Sequence, residues 1–222
     1  MSKPKVLVAV LSGIERAKWL NPGLALRLPA MAHSLRFDVT VTAILDRYPV
    51  DCARNTCIVR AREHKADVLL MVDNDQDFFR DPLELLDQGY RKDVIAFPSM
   101  QLGNEDDHAR GDIFIMNCRG AVSEDGPFVE IERAGTGALA IHRRVWEQVP
   151  GPWFRTILGD DEATTLKTGE DFYFCDLVRQ HGFQVWAHRG HGVRHFHNAE
   201  MASLSIAVNK AKQFQQAGNN AF

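Results

Sequence analysis

Acidic side chains cluster where a buried strand is expected to end. Val68–Val72 is a continuous apolar run that leads directly into Asp73 and Asp75, an Asp-x-Asp pair. In open α/β sheets, ligands bind beyond the carboxyl ends of the strands. Two carboxylates at such a place could hold a hard divalent cation, with substrate phosphates completing its coordination shell. The same residues could instead form an acidic turn before a helix that begins near Pro82, with Asp81 as its N-cap.

A second acidic pair and a group of histidines are further candidates for chemistry. Glu170 and Asp171 open a predicted helix, whose dipole favours the charged carboxylate that a general base needs. An ordinary acidic first turn is the alternative. Four histidines follow within ten residues: His188, His191, His195 and His197. Imidazole suits manganese together with oxygen ligands, whereas no cysteine lies close enough in sequence to indicate a zinc site.

The elements that must position these side chains alternate between strand and helix. Apolar runs and period-two alternation predict strands over Lys5–Leu11, Phe37–Leu45, Asp67–Val72, Val94–Phe97 and Gly137–His142. Helical spacing predicts helices over Pro22–Leu35, Arg54–His64, Glu170–His181 and Ala199–Gln216. Between them, Ser99–Ala134 is interpreted as an irregular segment with short strands only. This order predicts an α/β fold with a mainly parallel central sheet flanked by helices.

Length and composition favour a single domain. The 222 residues are 45% hydrophobic and 25% charged, which excludes a disordered chain, a collagen and a disulfide scaffold. The formal net charge of −3 gives no overall basic field for nucleic acid. No apolar run is long enough to span a membrane or to act as a signal peptide. The four cysteines show no Cys-x-x-Cys spacing, as is typical of reduced thiols, so we predict a cytoplasmic protein.

Several short motifs follow one another in an informative order. They are Val6–Leu11, Arg54-Asn55, Asp73-x-Asp75, Gly135-Thr136-Gly137, Pro152-Trp153-Phe154, Gly169-Glu170-Asp171, Gly182–Trp186 and His195. This order resembles the nucleotide-sugar glycosyltransferases of the GT-A fold, close to family 2 and its small bacterial and phage relatives, over roughly residues 5 to 197. The resemblance implies one Rossmann-like GT-A domain over 1–222. Its nucleotide-binding half would be 5–98, its acceptor and catalytic half 99–198, and its C-terminal helix 199–217.

The resemblance also implies roles for individual residues. Asp73, Asp75 and His195 would bind Mn²⁺ or Mg²⁺. Asp171, beside Glu170, would be the base that takes a proton from the acceptor hydroxyl, so the reaction would invert the anomeric centre. Retention is the alternative outcome. The residues expected to bind the nucleotide and donor sugar, with UDP as the commonest nucleotide, are Ser12, Gly13, Arg54, Asn55, Asp73, Gly135, Thr136 and Gly137. Trp153 would face the acceptor.

Two other functions and several acceptors fit the same sequence. A related nucleotidyltransferase would need a glycine-rich basic loop after the first strand, where this chain has Ser12–Arg16 with one glycine. A noncatalytic metal- or sugar-binding module is the second alternative. The acceptor could be a protein, a lipid or a glycan. For a phage-encoded enzyme in the host cytoplasm, it could also be a modified DNA base. Five arginines could line a channel for DNA: Arg110, Arg119, Arg133, Arg143 and Arg144. An oligomer is also compatible with the sequence.

Overall fold

The computed structural model describes residues 2–12, 20–45, 49–102, 114–160 and 165–196. The helices within these ranges are α1 (Pro22–Ala32), α2 (Val50–Glu63), α3 (Pro82–Gln88), α4 (Arg143–Gln148) and α5 (Glu170–Gln180). The strands up to the middle of the chain are β1 (Lys5–Ser12), β2 (Asp38–Leu45), β3 (Val68–Asp73), β4 (Gln76–Phe78), β5 (Val94–Ala96), β6 (Met100–Leu102) and β7 (Phe114–Met116). The remaining strands of these ranges are β8 (Cys118–Asp125), β9 (Phe128–Ala134), β10 (Ala138–His142), β11 (Ile157–Leu158), β12 (Leu166–Thr168), β13 (Val185–His188) and β14 (Val193–His195). None of these helices has both the length and the apolar character needed to cross a membrane.

An eight-stranded sheet forms the centre of the described part, in the order β2-β1-β3-β10-β5-β13-β9-β8. β1 pairs in parallel with β2 and β3, and β5 pairs in parallel with β13. β10 runs antiparallel between β3 and β5, and β9 runs antiparallel to both β8 and β13. The predicted α/β class is therefore confirmed, and the sheet is mostly parallel but mixed, because β10 and β9 run against its other six strands. Strand direction was not predictable because an apolar run such as Gly137–His142 looks the same in either direction.

Both faces of β1 are covered by helices, which explains its continuous apolar run. Leu7 on one face belongs to the same buried cluster as Ile58 of α2. Val8 on the other face belongs to the cluster that contains Leu24 of α1. α1 and α2 therefore cover opposite faces of the sheet, as expected for strands buried on both sides.

The direction of winding changes between β1 and β3. The chain leaves β1 through α1 to β2 on one side, and α2 then returns it to β3 on the other side of β1. Such a switch point opens a crevice outside the carboxyl ends of the two strands, where ligands bind in folds of this kind. Ser12 ends β1 and Asp73 ends β3 at this edge, with Leu11 paired to Asp73 in register.

The second half of the described chain contains more strand than the sequence predicted. β8 and β9 form a long hairpin inside Ser99–Ala134, the segment expected to be irregular. β8 is an edge strand with almost every residue exposed, so it carries no apolar alternation that a sequence pattern could detect. The predicted helix over Pro22–Leu35 ends at Ala32. The predicted C-terminal helix over 199–217 lies outside the described residues.

Candidate functional site

A buried arginine lies at the centre of the predicted site. Arg54 is the fifth residue of α2 and is only 4% exposed. Its Nη1 donates to the carbonyl oxygen of Thr136 at 2.8 Å, and Nη1 and Nη2 each lie 3.3 Å from one carboxylate oxygen of Asp73. Its Nε donates to Glu170 Oε1 at 3.2 Å. One guanidinium thus joins the end of β3, the loop before β10 and the start of α5.

The charges of this cluster are coupled. Burial alone would lower the pKa of Arg54, but Asp73 and Glu170 outweigh it and raise that pKa, so the guanidinium stays charged. Burial raises the pKa of the Asp73 carboxyl, while Arg54 opposes the rise. Asp75 and His195 act on the same carboxyl, the first raising its pKa and the second lowering it. The predicted metal ligands are therefore within electrostatic reach of one another.

Asp75 and His195 face each other at this edge. β14 pairs antiparallel with β4, which puts His195 opposite Gln76, and the Phe196 amide donates to the Asp75 carbonyl oxygen at 2.9 Å. His195 Nε2 lies 3.5 Å from Asp75 Oδ2, and the two side chains are 15% and 8% exposed. Ligands at about 2.1 Å from one octahedral ion lie about 3 Å apart, so this spacing is compatible with a shared ion.

The donor set fits a hard divalent ion only in part. A carboxylate oxygen with an imidazole nitrogen suits Mn²⁺. Asp73, the third predicted ligand, is engaged by Arg54. Within the described ranges, no three histidine, cysteine or acidic side chains are grouped so that they could hold a metal by themselves. An ion here would therefore take most of its shell from substrate phosphates and water, as Mg²⁺ commonly does.

The loop over Gly135–Gly137 closely approaches the end of β3. The Asp73 amide donates to the Gly137 carbonyl at 2.7 Å. A Cβ on Gly137 would lie 1.9 Å from Gln76 Nε2, so a side chain there would force the Gln76 amide to move. Gln76 Oε1 and Thr136 Oγ1 are buried and have no hydrogen-bond partner among the described residues. Buried atoms of this kind call for an explanation such as bound water or ligand. Gln76 was not predicted as a site residue, because its type and position carry no distinctive signal.

Asp171 lies in the first turn of α5, one residue after the glutamate bound by Arg54. Its Oδ1 accepts from the Phe172 amide at 2.7 Å. Burial raises the pKa of the Asp171 carboxyl above its ordinary value of 3.8, more than the Phe172 amide lowers it. A general base works best when its pKa lies near the working pH. The raised pKa brings Asp171 closer to that pH, so this shift favours proton transfer.

Asn55 and Trp153 have structural contacts that the sequence did not indicate. Asn55 Oδ1 accepts from the amides of Trp153 and Phe154, and its Nδ2 donates to the carbonyls of Asp51 and Phe154. Trp153 is 7% exposed, and its indole N–H donates to the Val149 carbonyl at 2.9 Å. Asn55 thus anchors the 153–154 segment, and Trp153 packs in the core. Their predicted nucleotide and acceptor contacts stay predictions.

Of the remaining predicted residues, Ser12 is described by the structure, whereas Gly13 and His197 are not. Ser12 Oγ lies 3.1 Å from Asn74 Nδ2, which donates to it, at the crevice between β1 and β3.

The arginines proposed to line a channel are mostly neutralised by acidic partners. Arg133 pairs with Asp176 at 2.8 Å, and Arg144 pairs with Asp93 at 2.6 Å. Arg143 pairs with Asp67 and Glu147, while Arg119 lies over the Phe172 ring. Arg110 is outside the described part of the chain. Three of the four that the structure describes are thus paired with acidic side chains, and a DNA acceptor stays a prediction.

The cysteines are all free thiols. Cys57 and Cys175 are buried, Cys118 is partly buried and Cys52 is exposed. Burial raises the pKa of Cys57, Cys118 and Cys175 to about 12. These three are therefore protonated near neutral pH and unsuited to act as nucleophiles or metal ligands.

Comparison with known proteins finds similarity in structure only. No protein-family model and no curated protein matches the sequence. The solved structure of A197 from STIV superposes with a TM-score of 0.60 at 16% identity, covering 87% of this chain and 86% of that one. The structure of GalNAc-T7 with UDP, GalNAc and Mn²⁺ gives a TM-score of 0.49 at 14% identity, covering 89% of this chain and 44% of that one. Likeness at such identity establishes the fold alone, and this chain has the fold seen in A197 from STIV.

Proposed function

We propose that this protein is a metal-dependent glycosyltransferase that moves a sugar from a nucleoside-diphosphate donor to an acceptor hydroxyl. The observation that carries the proposal is the convergence of the Arg54 cluster and the Asp75–His195 pair at the switch point of the sheet. The order of the motifs, which resembles the GT-A glycosyltransferases, points in the same direction. The proposed fold is accordingly a GT-A fold in one domain, and the proposed donor is a UDP-sugar.

The donor side of the site is acidic and prearranged. Asp75 and His195 would hold Mn²⁺ or Mg²⁺, and the bound ion would neutralise the diphosphate as it departs. Asp73 is fixed by two contacts from Arg54, so it needs no metal to hold its position. Arg54 carries one positive charge against the two carboxylates it contacts, so the cluster is net negative before any cation binds.

The acceptor side uses the first turn of α5. Asp171 takes the proton of the acceptor hydroxyl as its oxygen attacks the anomeric carbon, and the bond from that carbon to the diphosphate breaks. Attack from the face opposite the leaving group inverts the anomeric centre. Glu170 is held by Arg54 and thereby fixes the turn on which Asp171 lies. Asn55, the residue after Arg54 in α2, holds the 153–154 segment by accepting from its two amides.

Thermal stability with nucleotides tests the donor site. The wild-type chain would be measured with UDP, GDP, CDP and ADP, each with and without Mn²⁺. A ligand at 100 times its Kd stabilises by about 2.7 kcal/mol, which for a domain of this size raises Tm by about 5–10 °C. We expect one nucleotide to give this rise only with Mn²⁺. The absence of any Mn²⁺-dependent rise would refute the proposal.

Two aspartate variants make the test specific. Asp75→Asn should abolish the Mn²⁺-dependent rise because it removes a charged ligand. Asp77→Asn is the matched control, since Asp77 is a buried carboxylate only two residues further along the chain, in β4, but pairs with Arg27 at 3.3 Å. This variant should lower Tm and yet retain the nucleotide shift. Donor hydrolysis by the wild type, lost in Asp171→Asn with nucleotide binding intact, would separate an enzyme from a binding module.

A further inference from the structure

Two histidines that the proposed reaction does not use hold the turn between β13 and β14. His188, the last residue of β13, and His191 are 7% and 5% exposed. The Gly190 amide donates to His188 Nδ1 at 2.9 Å, and His191 Nδ1 lies 3.2 Å from the same nitrogen. The two rings meet edge to face, with centroids 4.6 Å apart.

These contacts fix the protonation state of both rings. His188 Nδ1 accepts the Gly190 N–H, so it carries no proton of its own. The hydrogen bond between the two Nδ1 atoms then requires the proton to lie on His191. His191 Nε2 is buried without a hydrogen-bond partner among the described residues, which fits the neutral ring. The arrangement therefore needs both histidines neutral, with His188 Nδ1 as a double acceptor.

The turn leads directly into the strand that carries His195. The Gly192 carbonyl accepts from the Phe79 amide at 3.0 Å, and the Val193 amide donates to the Pro98 carbonyl at 2.9 Å. A Cβ on Gly192 would lie 2.5 Å from that same carbonyl oxygen, so the backbone is tightly held. β14 then continues in register with β4 and brings His195 to Asp75. The conformation of the turn thus decides where His195 lies.

The surroundings keep the pair neutral near pH 7. Phe128 of β9 packs edge to face on His188 at 5.0 Å. Burial, then His191 and Arg80, lower the pKa of His188. Burial and Arg80 also lower the pKa of His191, against the smaller opposing effects of Glu84 and Asp81. The other charged group of the turn, Arg189, pairs with Glu124 of β8.

We propose that His188 is a positioning residue, whose unprotonated Nδ1 accepts two hydrogen bonds and so holds the turn that presents His195 to Asp75. Protonation of the ring would set an N–H against the two donors and release β14 from β4. The consequence for Mn²⁺ and nucleotide binding rests on the proposed function, whereas the docking of β14 does not.

Amide hydrogen exchange tests the docking directly. After correction for intrinsic rates, the protection of the Val193 and Phe196 amides should fall at least about tenfold in the wild type between pH 7.5 and pH 5. His188→Gln moves the polar atoms away from the Nδ1 position and should show a similar loss already at pH 7.5. His188→Asn keeps an acceptor at that position that cannot be protonated, so it should stay protected at both pH values.

A matched control and a measurement without variants complete the experiment. His142→Asn is the control, because His142 Nδ1 also accepts a backbone amide, that of Arg144, but at the opposite end of the strands, where His142 pairs with Val68 of β3. It should leave the pH dependence at Val193 unchanged. In the wild type, ¹⁵N ring shifts should show His188 Nδ1 unprotonated and His191 Nδ1 protonated at pH 7.5. The reverse assignment, or a His188→Gln variant as protected as the wild type, would overturn the inference.

Ligand binding separates this inference from the proposed function. If the amides behave as expected, His188→Gln should also lose the Mn²⁺-dependent Tm rise with UDP, and His188→Asn should retain it. Expected amide protection without any nucleotide binding in the wild type would refute the proposed function alone. Unaltered protection in His188→Gln would refute the positioning role, whatever nucleotide binds.

Discussion

Replacing Arg54 with methionine should destabilise the protein by about 3 kcal/mol at pH 7. Methionine keeps an apolar stem of similar length but leaves two carboxylates without their cation. Removing one partner of a buried ion pair costs about 3–5 kcal/mol. The side chains of Asp73 and Glu170 are 28% and 17% exposed, so they retain some hydration and the lower end of that range applies.

Urea unfolding measures this loss and its pH dependence. With a slope of about 2 kcal/mol per molar urea, the midpoint should fall by about 1.5 M. In Arg54→Met the folded-state pKa of Asp73 rises further above the unfolded value, because Arg54 no longer opposes the effect of burial. The folded variant then binds more protons than its unfolded state. The stability that Arg54→Met loses relative to the wild type should therefore shrink as the pH falls from 7 towards 5.

Arg60→Met is the matched control on the same helix. Arg60 pairs with Glu63 at 2.8 Å, but both side chains are half exposed, so this variant should cost at most about 0.5 kcal/mol. A loss in Arg54→Met as small as in the control would show that the two carboxylates of the cluster are fully hydrated. A deficit that does not change with pH would contradict the electrostatic explanation even if its size were right.

Three further predictions concern the same edge of the sheet. Asn55→Ala should cost about 2–3 kcal/mol in urea unfolding, because the Trp153 and Phe154 amides lose their acceptor; a cost below about 1 kcal/mol would mean that water replaces it. Gly137→Ala should lower stability by about 1–3 kcal/mol and reduce the nucleotide-induced Tm rise, since the added Cβ overlaps the Gln76 amide. The rate of donor hydrolysis should rise with pH through the pKa of Asp171, which burial places above 3.8. Asp171→Asn should lose that rise, and a pH profile unchanged in this variant would exclude the residue as the base.

The sequence predicted the parts of the site that depend on local pattern. The run over Val68–Val72 is apolar throughout because both faces of β3 are buried, and this placed Asp73 at a strand end. Glu170 and Asp171 were predicted to open a helix, and α5 begins there. The edge strand β8 was missed because its exposed residues need no alternation.

Contacts between residues far apart along the chain could not be predicted from the sequence. Nothing near Arg54 indicates that its partners would be two carboxylates and the carbonyl of Thr136, since charge pairing leaves no periodic pattern. Asn55 looked like a ligand-binding residue, but its amide is used by the backbone of Trp153 and Phe154. His188 and His191 were recognised only as members of a histidine group. Their mutual hydrogen bond depends on a turn that periodicity does not describe.

The sequence separation of the Arg54 contacts has a consequence for how the protein is made. Its partners Asp73, Thr136 and Glu170 lie 19, 82 and 116 residues away along the chain. Contacts of such long range form slowly, and a chain emerging from the ribosome folds from its N-terminus. While α2 packs on the first strands, the Arg54 guanidinium can pair with Asp73 but not yet with Glu170. The contact with Glu170 forms only when α5 has been made, so chains that stop short of it lack one of the guanidinium's acceptors. The N-terminal strands therefore reach full stability only after synthesis has passed Glu170.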